Sequence, residues 1–234
     1  MLDLRKIRAI GLDLDDTLWP IWPAIERAEL QLTQWLALRA PLASQVMADP
    51  DHRMSLRNQL LRERPDIGHD MSAMRREIIR MALSRGGEDT SLAEPAFEVF
   101  FEHRMRVDLY ADALPALRFL ASRYPVVAIS NGNADVDRVG IGAHFSASLS
   151  AHIFGVGKPD ARIFHAAAAA AGVAADEVLH IGDDPKLDVL GGLDAGMQTA
   201  WLNRSELVWT HDRQPHVSVT NLDQLCALLG GDPD

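Results

Sequence analysis

The feature that most constrains the fold is an apolar run near the start of the chain that ends in three carboxylates. The stretch "IGLDLDDTLWP", residues 10–20, places Asp13, Asp15 and Asp16 directly after that run. A near-continuous apolar run indicates a parallel strand that is covered on both faces. Because ligands of open α/β sheets bind beyond the carboxyl ends of such strands, the sequence predicts a ligand site here.

The spacing of these carboxylates favours a metal. Asp13 and Asp15 are two residues apart, so in an extended segment their side chains point to the same side, whereas Asp16 points elsewhere and serves the turn. Two close carboxylates repel each other, which raises the pKa of one of them unless a cation lies between them. Mg²⁺ suits such a site, because one or two carboxylates, waters and a substrate phosphate hold it. A polar turn that closes the strand is the alternative.

Apolar runs alternate with helical patterns along most of the remaining chain. This alternation predicts an α/β fold with a doubly wound parallel sheet. The predicted strands cover residues 7–14, 126–130, 178–182, 197–202 and 216–220, and the predicted helices cover 113–122, 159–171, 187–193 and 222–229.

Residues 20–107 interrupt that alternation, because they show helical periodicity and no convincing strand. They are interpreted as an inserted helical module. Its first helix is predicted to begin at Pro23, its second to cover about 55–63, and its third to run from Ser72 to the glycines at 86 and 87. Ser91 and Glu94 have the spacing of a capping box, which predicts the start of a fourth helix.

Composition and charge exclude several classes of protein. The chain has 234 residues, 47% of them hydrophobic, and a formal net charge of -10, which disfavours binding to nucleic acid or to an anionic membrane. Its single cysteine, Cys226, excludes an internal disulfide and a cysteine-rich metal site. The N-terminal segment does not have the pattern of a signal peptide, and no segment is apolar enough to span a membrane, so a cytoplasmic protein is expected.

Polar residues lie at the ends of three other predicted elements. Ser130, Asn131 and Gly132 end the strand in "VVAISNGNAD", where a hydroxyl and backbone amides can approach an anion. Lys158 precedes Pro159 at a predicted helix N-terminus, where an ammonium group and the helix dipole both favour a phosphate. A third set of carboxylates ends "EVLHIGDDPKLD", and it comprises Asp183, Asp184 and Asp188. Carboxylates repeated at a second strand end are costly unless they share a cation.

Together these four blocks resemble the motifs of the haloacid dehalogenase superfamily, and the resemblance covers essentially the whole chain. It implies a Rossmann-like catalytic core of residues 1–19 and 108–234, with a helical C1-type cap of residues 20–107 that covers the site and selects the substrate. It also implies a magnesium-dependent phosphatase of a small phosphomonoester. Dehalogenases of this superfamily lack an acid at the position of Asp15 and need no metal, so Asp15 favours a phosphatase.

The resemblance implies roles for individual residues. Asp13 would be the nucleophile that forms an aspartyl-phosphate, and Asp15 would be the general acid and then the general base. The phosphoryl group would be held by Thr17, Ser130, Lys158 and the Asn131 and Gly132 backbone. The metal would be held by Asp13, the Asp15 carbonyl and Asp183, while Asp184 and Asp188 would orient Lys158 and metal-bound water.

Within the family, the blocks "AISNGNA", "LHIGDD" and "RPDIGHDMSAMRR" are similar to those of phosphatases acting on flavin mononucleotide and on the phosphorylated ribitylaminouracil precursor of riboflavin. Trp19 and Trp22 follow Thr17 closely and are candidates to stack on a flat ring, with packing between the cap and the core as the alternative. Residues 53–85 carry eight arginines against four acids. We expect this basic surface to attract anionic esters, with His69 or Arg75 as contacts, although a solvated helix face with ordinary ion pairs is the alternative.

Other functions remain open at this point. A phosphatase of different or broad specificity would use the same residues on a sugar phosphate, a nucleotide or pyridoxal phosphate. A phosphomutase, a phospho-accepting signalling module and a catalytically idle binding protein are the remaining alternatives. Both a monomer and a dimer fit the sequence.

Overall fold

The computed structural model describes residues 1–230, which form two compact units. The first unit comprises Met1–Pro20 and the chain from Asp108 onward, and the second comprises Ile21–Val107. None of the helices in residues 1–230 has the length and apolar character needed to cross a membrane.

The first unit is built on a six-stranded parallel sheet, which confirms the predicted α/β class. Its strands are β1 (Ala9–Leu12), β2 (Val126–Ser130), β3 (Ala147–Ser150), β4 (Val178–Gly182), β5 (Gln198–Leu202) and β6 (Val217–Val219). They lie in the order β3-β2-β1-β4-β5-β6, the order of a Rossmann-type sheet, in which the strand order reverses beside β1. All residues of β1, β2, β4 and β5 are buried, as their apolar runs predict.

The five predicted strands are present, although the first, fourth and fifth are shorter than predicted, and β3 was not predicted. This strand reads Ala-Ser-Leu-Ser, lies at the edge of the sheet and is buried only at Ser150. A short, half-exposed edge strand with two serines has no apolar run, so the pattern used to find the other strands does not detect it.

Helices of the first unit are α6 (Ala113–Ala121), α7 (Val136–Val139), α8 (Ala151–Phe154), α9 (Ala161–Ala170), α10 (Gly191–Asp194) and α11 (Leu222–Leu228). A six-residue π-helix, Pro185–Leu190, leads into α10. The helix predicted to start at Pro159 begins at Ala161, and the Asp160 carboxylate caps it by accepting from the Arg162 N–H. The prediction that Lys158 stands at that helix N-terminus is therefore wrong, because Asp160 already occupies the capping position.

The second unit is a bundle of five α-helices: α1 (Ile21–Ala37), α2 (Pro41–Ala48), α3 (Pro50–Glu63), α4 (Met71–Arg85) and α5 (Ala93–Arg104). Its core includes Leu32, Leu36, Ile79, Phe97 and Phe100. Helix α1 begins two residues before Pro23, and α2 was not predicted. The capping box predicted from Ser91 and Glu94 is absent, because Asp89 caps a short 3-10 turn at Ser91 and α5 begins only after it.

Candidate active site

Three neighbouring strands bring polar side chains to one edge of the sheet. Leu12 of β1 is level with Ala128 of β2 and with Ile181 of β4. Shortly after these positions come Asp13 at the end of β1, Ser130 at the end of β2 and Asp183 at the end of β4. The carboxyl ends of β1, β2 and β4 therefore meet at the point where the strand order reverses, which is where ligands of such sheets bind.

Lys158 lies inside this cluster and is 5% exposed. Its Nζ donates to Asp13 Oδ1 and, at 2.6 Å, to Asp188 Oδ1. Burial alone would lower the pKa of Lys158, but Asp13 and Asp188 outweigh it and raise that pKa. The side chain of Asn131 fixes the lysine backbone, because its Oδ1 accepts from the Lys158 N–H at 2.7 Å and its Nδ2 donates to the Lys158 carbonyl at 2.8 Å.

Asp188 is the carboxylate that pairs with Lys158, and it is 1% exposed. Its Oδ1 also contacts His180 Nε2 at 2.8 Å, and its Oδ2 accepts from the Asp184 N–H at 3.1 Å. Burial would raise the pKa of Asp188, but Lys158 and His180 outweigh it and lower that pKa to about 2. The Asp184 carboxylate instead accepts from the Lys186 and Leu187 N–H groups and caps the π-helix. Of the two residues expected to orient Lys158, Asp188 makes the direct contact.

Asp13, Asp183 and Asp188 can each bring one oxygen to within 4.8 Å of the others. Burial and neighbouring acids raise the pKa of Asp183 to about 7, and burial raises the pKa of Asp13 despite the opposing charge of Lys158. When all three carboxylates are ionised, the single ammonium leaves two negative charges uncompensated. A divalent cation would supply that charge, so the cluster is compatible with a divalent metal.

Thr17 connects two members of this cluster. Its Oγ1 lies 3.2 Å from both Asp13 Oδ2 and Asp183 Oδ1. The side chain is fully buried, and its single hydroxyl hydrogen can be donated to only one of these oxygens at a time. The Thr17 hydroxyl, predicted to contact the phosphoryl group, therefore contacts the two acids in this structure.

Asp15 lies beside the end of β2. Its Oδ1 accepts from Trp19 Nε1 at 2.8 Å, and a Cβ added at Gly132 would lie 2.4 Å from its Oδ2. Only a residue without a side chain leaves room for the carboxylate in this position. The same Cβ would lie 3.3 Å from Ser130 Oγ, which accepts from the Gly132 N–H at 3.0 Å. Asp16 belongs to the turn, with a φ of 58° and its N–H donated to the Trp19 carbonyl.

The structure corrects the role predicted for Trp19. Its side chain is fully buried and its indole N–H is held by Asp15, so the ring has no exposed face to stack on a ligand. Trp22 is 69% exposed and lies in the helical unit, where it lines a cavity of about 810 Å³. Arg75 lines the same cavity, and its Nη1 donates to Glu29 Oε1 at 2.6 Å. His69 is half-buried and precedes α4.

The basic surface predicted for residues 53–85 is largely neutralised. Glu29 pairs with Arg75 and Arg53, and Glu94 pairs with Arg76, although both acids lie outside that sequence range. Arg64 and Arg80 pair with local acids. Ion pairs on helix faces, the alternative considered above, therefore describe most of these arginines.

Two features of the site had no clear signal in the sequence. His180 is fully buried on β4 and contacts Asp188; it belongs to the block "LHIGDD", but neither its position in an apolar run nor that resemblance assigned it a role. Arg204 donates two hydrogen bonds to the Asp112 carboxylate and two to the Thr17 carbonyl, with lengths of 3.0 to 3.2 Å. It thereby fixes the backbone at Thr17 from positions that are remote in sequence.

Comparison with known proteins agrees with this geometry. The 5-amino-6-(5-phospho-D-ribitylamino)uracil phosphatase YigB of Escherichia coli is 32% identical, covering 97% of this chain and 98% of its own length. A phosphoserine phosphatase of Thermus thermophilus is 33% identical, covering 64% of this chain and 63% of its own length.

A solved structure described as a 2-haloacid dehalogenase of Pseudomonas syringae has a TM-score of 0.91 and 39% identity, covering 96% of this chain and 98% of that one. A model of the haloacid dehalogenase-like hydrolases matches residues 7–196. The chain belongs to the haloacid dehalogenase-like hydrolase family.

Proposed function

We propose that this hydrolase is a magnesium-dependent phosphomonoesterase that acts through an aspartyl-phosphate on Asp13. The observation that carries the proposal is the contact of Asp13 with the buried ammonium of Lys158, beside Asp183 and at the end of the central strand. Phosphoryl transfer depends mainly on positioning and on neutralising the charge of three phosphoryl oxygens. A carboxylate nucleophile held against a cation, with further acids that could bind a metal, meets both needs.

Asp13 and Asp183, together with the Asp15 carbonyl, are the groups that would hold Mg²⁺, because Asp188 is already committed to Lys158, His180 and Asp184. The metal would supply positive charge against the phosphoryl oxygens and allow the carboxylates to remain ionised. Its binding would also lower the raised pKa values of Asp13 and Asp183.

The steps follow from the chain's own residues. An Asp13 carboxylate oxygen attacks phosphorus, the bond from phosphorus to the ester oxygen breaks, and Asp15 gives its proton to the departing alcohol. Asp15 then takes a proton from water, whose oxygen attacks phosphorus and releases inorganic phosphate and free Asp13. Lys158 and the amides near Gly132 stabilise the charge on the phosphoryl oxygens in both steps.

For the substrate, we propose a small phosphorylated metabolite, with flavin mononucleotide or the phosphorylated ribitylaminouracil precursor of riboflavin as the first candidates. The likeness to the E. coli phosphatase over nearly the whole chain supports this choice. We also propose that the helical unit acts as the substrate-selecting cap. Its cavity of about 810 Å³, with an exposed Trp22 and mainly apolar lining, has the size and character of a small-molecule pocket.

Dehalogenation is the second candidate, because the similar Pseudomonas syringae structure is described as a dehalogenase. Asp15 favours the phosphatase: an ester oxygen needs a proton when it leaves, whereas a halide ion does not. A single panel tests both functions, measuring phosphate release from flavin mononucleotide, pyridoxal phosphate, nucleotides and sugar phosphates, and halide release from a 2-haloacid. Phosphate release that requires Mg²⁺ and stops with a chelator supports the proposal, whereas halide release alone refutes it.

A further inference from the structure

His180 contacts Asp188, the carboxylate that pairs with the catalytic lysine. Its imidazole is fully buried on β4, with Nε2 2.8 Å from Asp188 Oδ1, the same oxygen that accepts from Lys158 Nζ. Lys158 in turn contacts Asp13. Four side chains thus form one continuous chain of polar contacts from the interior of the sheet to the proposed nucleophile.

The sheet is built to hold this ring in one place. A Cβ added at Gly11 of β1 would lie 2.9 Å from His180 Nδ1, and Phe164 packs edge-on against the ring with centroids 5.0 Å apart. A Cβ added at Gly182 would lie 2.2 Å from the Asp188 carboxyl carbon. Glycines therefore leave room on two strands for a histidine and an aspartate that could not otherwise meet.

The contact fixes the tautomer of the imidazole. An ionised carboxylate only accepts hydrogen bonds, so His180 Nε2 must carry the hydrogen that it donates to Asp188. Asp188 then receives three donors, from Lys158, His180 and the Asp184 backbone. With its acceptor positions engaged on three sides, the carboxylate cannot rotate without breaking at least one of these hydrogen bonds.

We propose that His180 is a positioning residue for the phosphatase reaction, a role that rests on the function proposed above. By donating to Asp188, His180 holds that carboxylate in one position. In this position Asp188 and Asp13 both accept from the Lys158 ammonium, and Asp188 does not draw the ammonium away from Asp13. Lys158 has three N–H donors, and two of them are used in these contacts. The third is left for a phosphoryl oxygen, and its direction depends on where Asp188 is fixed.

Loss of the donor should affect the reaction step more than substrate binding. Partners that orient groups in direct contact with substrate or metal commonly contribute about 10- to 100-fold to activity. We therefore expect His180→Leu to lower kcat by about 10- to 100-fold, with KM changed by less than about threefold, because the loss falls on transition-state charge stabilisation. His180→Gln should recover most of the lost kcat, since its amide nitrogen can occupy the position of Nε2.

The experiment measures kcat, KM and the melting temperature for the wild type and both variants on the best ester of the panel. His165→Leu is the matched control, because His165 is an exposed histidine whose Nε2 contacts the Ala195 carbonyl at 3.0 Å and none of the proposed catalytic groups among residues 1–230. Low kcat in His180→Leu and recovery in His180→Gln, with the control unchanged, support the role. Equal kcat in both folded variants, whether high or low, overturns it. If the leucine variant does not fold, a glutamine variant with less than about a tenth of wild-type kcat also overturns it. No phosphate release by the wild type refutes the proposed function itself.

Discussion

Replacing Gly132 by alanine gives the sharpest test of where Asp15 stands. The new Cβ would lie 2.4 Å from Asp15 Oδ2, about 1 Å closer than an ordinary contact. The carboxylate has to move, and the hydrogen bond from Trp19 to its other oxygen limits where it can go. A displacement of about 1 Å at a catalytic group can cost about 100-fold, which corresponds to about 2.7 kcal/mol in the activation barrier.

We therefore expect Gly132→Ala to lower kcat about 100-fold for an ester with a poor leaving group. The effect on kcat/KM should be smaller for a nitrophenyl ester, because kcat/KM reports the phosphorylation step, in which this leaving group needs no proton. Gly68→Ala is the matched control, because its Cβ would meet only ordinary contacts at 3.4 Å. Steady-state kinetics with melting temperatures separates catalysis from stability. A kcat within about twofold of the wild type on both esters would refute the placement of Asp15 as the proton donor.

Three further outcomes are expected. Arg204→Lys cannot reproduce the paired hydrogen bonds to Asp112 and the Thr17 carbonyl, so thermal unfolding should show a loss of about 2 kcal/mol, whereas no loss would contradict that account. Mg²⁺ should raise the melting temperature, because binding at roughly 100 times its Kd adds about 2.7 kcal/mol to the free energy of unfolding. Asp183→Asn should abolish most of that rise, and an undiminished rise would contradict the metal role of Asp183. Burial raises the pKa of Cys226 to about 11, so alkylation of the folded protein should be slow near neutral pH and should accelerate about tenfold per pH unit below that pKa; rapid labelling at neutral pH would contradict this.

The sequence predicts the sheet and its acidic edge well, because buried parallel strands carry apolar runs and their carboxyl ends must meet at one edge. That rule was enough to place Asp13, Ser130 and Asp183 at the same edge. By contrast, β3 escaped prediction because an edge strand such as Ala147–Ser150 needs no apolar pattern.

Side-chain partners were harder to predict than strands. That Asp188 and not Asp184 contacts Lys158 depends on how the π-helix turns after β4. Trp19 can be buried because its indole N–H donates to Asp15, four residues away. Glu29 neutralises Arg75 from 46 residues away, which a count of local charges does not detect. The partners of Lys158 and Arg75 are set by tertiary packing, and local spacing contains no information about them.

The central claim is that Asp13 becomes phosphorylated. The most direct measurement uses Asp15→Asn with nitrophenyl phosphate and Mg²⁺, because this leaving group needs no proton while hydrolysis of the intermediate still needs the base. Acid quenching, pepsin digestion at the same acidic pH and mass spectrometry would then examine the peptide that contains Asp13. We predict one added phosphoryl group on Asp13, absent when Asp13 is also changed to Asn. Continued turnover by Asp15→Asn without any phosphorylated peptide would contradict the account, because phosphate would then reach water without passing through Asp13.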